Sequence, residues 1–152
     1  MPVFVSVGRV LFAILFIVSG AYKFMDLSAM AQMIASKITV PTDLVPYTTQ
    51  IETAIGLPFM NVLAIVSGAV EILGGLFIAV NLGARFFAIL LALFVAVTTF
   101  YFHNFWAMSG AEIWTTLFEA LKNLSLFGGL LIIAGLPKTP PVTAEPQPYA
   151  GI

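Results

Sequence analysis

The chain has 152 residues, of which 61% are hydrophobic and only 9% charged. A soluble domain carries roughly 25% charged residues, and six Lys and Arg with seven Asp and Glu cannot cover a globule of this size. The net charge of −1 with no basic run excludes a nucleic-acid surface, and the absence of cysteine excludes disulfides, thiolate metal sites and dithiol chemistry carried by this chain. A membrane span takes about 20 mostly apolar residues, so the composition predicts an all-α polytopic membrane protein with four spans.

The first span is expected at about 3–22. It holds Arg9, the charge-free run VLFAILFIVSGAY, and Lys23 at its end. A signal peptide is the competing reading, with Arg9 as the basic region and Ser19-Gly20-Ala21 as a cleavage site; the segment is expected to be retained as a span. A long connection, 23–59, follows. In it Leu27, Met30, Ile34 and Ile38 recur at helical spacing, which predicts a short helix lying at the membrane surface. After Pro41 and Pro46, QIETAIGLPF reads as another short piece leading into the second span.

The second span is expected at about 60–80, with Glu71 near its middle. Asn81-Leu82-Gly83 then reads as a tight turn in which glycine takes positive φ. The third span, about 84–102, leaves through FYFHNFW, which puts Tyr101 and Trp106 where interfacial aromatics collect. The fourth, about 115–135, carries Glu119 and Lys122 and stops at Pro137. The spans and the long loop form one transmembrane domain, 1–136. The remainder, 137–152, has five of the nine prolines and is expected to be a disordered or extended tail. Arg9, Arg85 and Lys138 on one side against Lys23 and Lys37 on the other put both termini in the cytoplasm by the positive-inside rule.

Charges inside the hydrocarbon face the bundle and pair, since each costs at least about 2.5 kcal/mol at mid-membrane. Glu71 is therefore expected to face inward, with Arg9 or Lys122 as its salt-bridge partner. Helical phase places Arg9, Ala13, Phe16, Gly20 and Lys23 on one stripe of the first span. Ala64, Ser67, Gly68, Glu71, Gly74 and Gly75 form a small-residue face of the second. Thr99 and His103 line up on the third span, and Lys122 lies beside Asn123 on the fourth. The expectation is a polar seam running from Arg9 past Glu71 toward Lys122, Asn123 and His103. Taken as structure alone, the seam is packing faces plus mutually satisfied ions, with Glu119 and Lys122 a local i, i+3 pair. With a single histidine, a two-histidine haem site within one chain is impossible.

Four segments in order resemble the DoxX family of small four-helix membrane proteins: GRVLFAILFIVSGAYKF at 8–24, SGAVEILGGLFIAVNLGAR at 67–85, YFHNFW at 101–106 and LKNLSLFGGLL at 121–131. The resemblance covers about 8–135. By position it implies an intramembrane polar site of Arg9, Lys23, Glu71, Arg85, His103, Trp106, Lys122 and Asn123, with Gly20 among the motif residues and no metal. It further implies an inner-membrane subunit linked to a redox system of the quinone or sulfur and thiol kind. Quinone or lipid is then the noncovalent ligand, and a redox enzyme or a second copy the partner. Three readings stay open: a quinone- or lipid-binding redox subunit, a non-catalytic scaffold or accessory subunit, and a small-solute transporter using an intramembrane Glu.

Overall fold

The computed structural model describes residues 3–136, and the expected Pro-rich tail lies outside them. Six helices follow one another: α1 Val3–Met25, α2 Leu27–Lys37, α3 Val45–Ile55, α4 Phe59–Ala79, α5 Ala84–Phe102 and α6 Glu112–Gly135. Among the described residues there is no strand, and α1, α4, α5 and α6 are each long and apolar enough to cross a membrane. The protein is an all-α, multi-pass membrane protein. α1 runs three residues beyond the expected end at 22, and α6 begins three residues before the expected 115.

Each break in the chain has a local cause. The Asp26 side chain accepts the Ala29 N–H at 2.9 Å, so it caps α2 and closes α1 one residue earlier. Pro46 sits in the first turn of α3, where its missing N–H costs nothing. α3 stops at Gly56, whose φ of 75° lies in the left-handed region. Glu52 Oε1 then accepts the Phe59 N–H at 2.7 Å, satisfying one orphan donor at the start of α4. The expected turn after α4 takes the Schellman form: Asn81 has φ 60°, its N–H reaches Ile78 O, and the Leu82 N–H reaches Phe77 O at 2.9 Å. Gly83, also at φ 60°, completes the reversal into α5.

α1 and α4 pack antiparallel and close. A Cβ on Gly20 would lie 2.6 Å from the Gly68 carbonyl oxygen, and one on Gly75 would lie 3.0 Å from the Ala13 carbonyl oxygen. Only glycine permits that approach, the device by which membrane helices gain dispersion contact where lipid supplies no hydrophobic drive. α5 seats Leu91 over Gly74 of α4, and Phe12 of α1 lies over Gly129 of α6. The four spans thus enclose one core, in which Ala13, Phe16, Ile78, Leu91 and Leu130 are buried. α2 turns back against α4 and buries Ala31 and Ile34. Part of its expected membrane-facing stripe is therefore spent on a protein contact.

Candidate functional site

Ser19 and Lys23 are one turn apart on α1, and both face Glu71 on α4. Lys23 Nζ forms a salt bridge with Glu71 Oε2 and also donates to Ser19 Oγ at 3.2 Å. Ser19 Oγ in turn lies 3.3 Å from each carboxylate oxygen of Glu71. The Glu71 side chain is 7% exposed and that of Lys23 17%. The result is a closed cluster in which a buried anion has a cation and a hydroxyl, and the hydroxyl bridges both.

The expected partners of Glu71, Arg9 or Lys122, are corrected here to Lys23. The Gly20–Gly68 and Ala13–Gly75 approaches set the register, and in that register Arg9 is level with the end of α4 at Ala79. That is eight residues, about 12 Å, from Glu71 along the axis. Direction matters as much as depth. Helical Cβ atoms lean toward their own N-terminus, so in an antiparallel pair Lys23 leans back toward Glu71 while Glu71 leans up to meet it. Arg9 leans the same way as Lys23, toward the α1 N-terminus, which from its level is away from Glu71. Lys122 fails for another reason: it points outward, 68% exposed, and holds Glu119 Oε1 at 2.7 Å on its own helix. The i, i+3 pair expected from the sequence is present.

The expected seam is therefore broken into separate parts. Arg9 is 6% exposed, and its Nε and Nη1 have no hydrogen-bond partner among the described residues. Asn123 Nδ2 donates to Thr99 Oγ1 at 3.0 Å, tying α6 to α5. His103, half-buried, ends α5 with its backbone N–H on the Thr99 carbonyl at 2.9 Å, so it stands one turn above that link. Trp106 is exposed and sits with its ring centre 5.6 Å from that of Phe100 and 5.2 Å from that of Phe105. Arg85 is exposed in the first turn of α5. Of the eight residues singled out from the sequence, only Lys23 and Glu71 touch each other through a polar contact.

Ser19 and Thr99 are the polar contributors that sequence reasoning left unassigned to any partner. Ser19 carried a signal, since it precedes Lys23 by four residues and so shares its face. Thr99 shared a face with His103, but its link to Asn123 depends on how α5 and α6 are rotated against each other.

A family model described as DoxX matches residues 4–104. The Inner membrane protein YphA of Escherichia coli (strain K12) is 23% identical over 133 residues, which cover 88% of this chain and 82% of that protein. No solved structure matches the chain.

Proposed function

The chain belongs to the DoxX family, and from that premise we propose that it is an accessory subunit of the inner membrane, a four-span anchor for a partner that carries redox chemistry. The observation that supports this reading is the closure of the Glu71 cluster. A carboxylate satisfied by Lys23 and Ser19 has little to offer a ligand. Stripping one partner from a buried ion pair costs about 3–5 kcal/mol, so such a pair favours holding α1 on α4 over exchanging its contacts each cycle. The same pairing takes away the free carboxylate on which a transporter reading rests. The inner-membrane location follows the printed name of the E. coli relative. The redox link follows the family resemblance, with the electrons handled outside this cysteine-free chain. The positive-inside count, Arg9, Arg85 and Lys138 at one end against Lys23 and Lys37 at the other, supports a reading with both termini in the cytoplasm.

A quinone-binding reading has one observation in its favour. The Asn123–Thr99 link and the half-buried His103 lie close along the chain to Phe100, Tyr101, Phe105 and Trp106, whose rings pack on one another. Those groups are of the kind that hydrogen-bond a quinone carbonyl and stack on its ring. One titration separates the readings. An accessory subunit shows no saturable binding of a short-chain quinone by the purified protein. A quinone subunit binds it, and His103→Ala with Asn123→Ala weakens that binding by about tenfold, some 1.4 kcal/mol. Fusing a periplasm-dependent and a cytoplasm-dependent reporter to the C-terminus tests the orientation.

A further inference from the structure

α1 lies along α4 and α6 lies along α5, while the backbones of α1 and α6 do not pack along each other. Phe12 of α1, seated over Gly129 of α6, marks where these two spans meet. There the gap is shut: Phe16 is buried, with its ring centre 5.6 Å from that of Phe12. That contact also fixes what stands opposite what further along. Ser19 and Lys23 follow Phe12 by seven and eleven residues, which keeps them within about 20° of it around α1. Lys122 precedes Gly129 by seven residues, so it too is within about 20° of its reference around α6. Because α1 and α6 run antiparallel, both seven-residue steps cover about 10 Å toward the same end of the bundle, where α1 ends and α6 begins.

Glu119 falls between the side of α6 that meets α1 and the side whose Asn123 holds Thr99 of α5. His103 stands one turn on from Thr99, at the level of Glu119. Two polar walls therefore face each other without joining. Lys23 holds Glu71 and Ser19, and Lys122 holds Glu119 on its own helix. The Lys122 and Glu119 side chains stay 68% and 45% exposed. They lie about 15 Å and 10 Å into α6. Ions left open at such depth are too costly for hydrocarbon, so water has to reach them.

The geometry points to a water-filled cleft between α1 and α6, with Ser19 and Lys23 on one wall and Glu119, Lys122 and His103 on the other. It takes small hydrophilic solutes from the end where α6 begins. Phe12 and Phe16 close its floor, so it is blind and gives no path across the bundle.

A chain without cysteine makes each introduced thiol a clean reporter. The thiolate is the reacting form and needs water, so the rate with a charged methanethiosulfonate reads hydration. Single-cysteine variants of the full chain, in right-side-out and in inverted membrane vesicles, are treated with methanethiosulfonate ethylsulfonate. Ser19→Cys is expected to react at least about tenfold faster than Val18→Cys, although Val18, at the same depth, is 60% exposed on the lipid side. Lys122→Cys should likewise outpace Leu121→Cys, whose position is exposed and shallower. Both fast sites should be reached from the same side as Glu112→Cys at the start of α6. The Lys122 and Leu121 variants decide the matter even if Ser19→Cys does not fold. Rates for Ser19→Cys and Lys122→Cys no higher than those of their neighbours overturn the inference. So do neighbours that react equally fast, which would put this whole level of the bundle in water, or labelling from the side opposite to Glu112→Cys.

Discussion

Lys23 of α1 and Glu71 of α4, 48 residues apart in the chain, form the one ion pair that joins two spans among the described residues. They meet because two antiparallel helices approach through glycines and lean their side chains toward each other's level. The pair is polar chemistry fixed by a backbone contact. Removing either half should therefore be felt across the bundle.

Glu71→Leu leaves the Lys23 ammonium buried without an anion. A destabilisation of about 3–5 kcal/mol is expected in an SDS titration of the purified protein. Adding Lys23→Met should recover most of that loss, since an apolar pair of similar volume can match a buried ion pair. A double variant as unstable as the single one would show that the cost lies in packing at position 71.

Gly20→Val tests the backbone approach itself. The new Cβ would meet the Gly68 carbonyl oxygen at 2.6 Å, where no flexible side chain can move aside. Overpacking of about 1–3 kcal/mol is expected, with the Lys23–Glu71 pair pulled apart as α1 is displaced. Gly128→Ala is the control: a Cβ there meets nothing within 4 Å, and the better helix former should leave stability unchanged or raise it by at most about 1 kcal/mol.

Asn123→Ala removes the hydrogen bond to Thr99 between α6 and α5. Interhelical hydrogen bonds in membrane proteins contribute about 0.6 kcal/mol on average and at most about 1.7, so a small loss is expected in the same titration. A loss well above that range would mean that Asn123 does more than tie two helices together.

Lys122→Ala should leave the unfolding midpoint unchanged, because its pair with Glu119 is exposed and lies within one helix. If the midpoint falls as far as for Glu71→Leu, Lys122 belongs inside the bundle after all.

The family features legible in the sequence are those written locally. Four apolar runs of spanning length, the Asn81-Leu82-Gly83 turn and the Glu119–Lys122 spacing each depend on neighbours within a few residues, and each recurs in the structure. The small-residue face of α4 was legible too, because helical phase is a local property. The polar site was legible as a set of residues and misread as a set of contacts. Lys23 looked like a charge ending a span, yet α1 continues to Met25 and carries it on the inner stripe.

The number of spans, the turn between α4 and α5 and the faces that carry polar groups can be read along the chain, since hydropathy, phase and turn chemistry are set by adjacent residues. That Glu71 goes to Lys23, that Ser19 joins them and that Arg9 has no partner among the described residues depends on how the helices pack. The reason is register. Neither helix encodes how far it slides against the other until Gly20 meets Gly68 and Gly75 meets Ala13. Once it has, the opposite lean of side chains on antiparallel helices brings Lys23 to the carboxylate and carries Arg9 away from it.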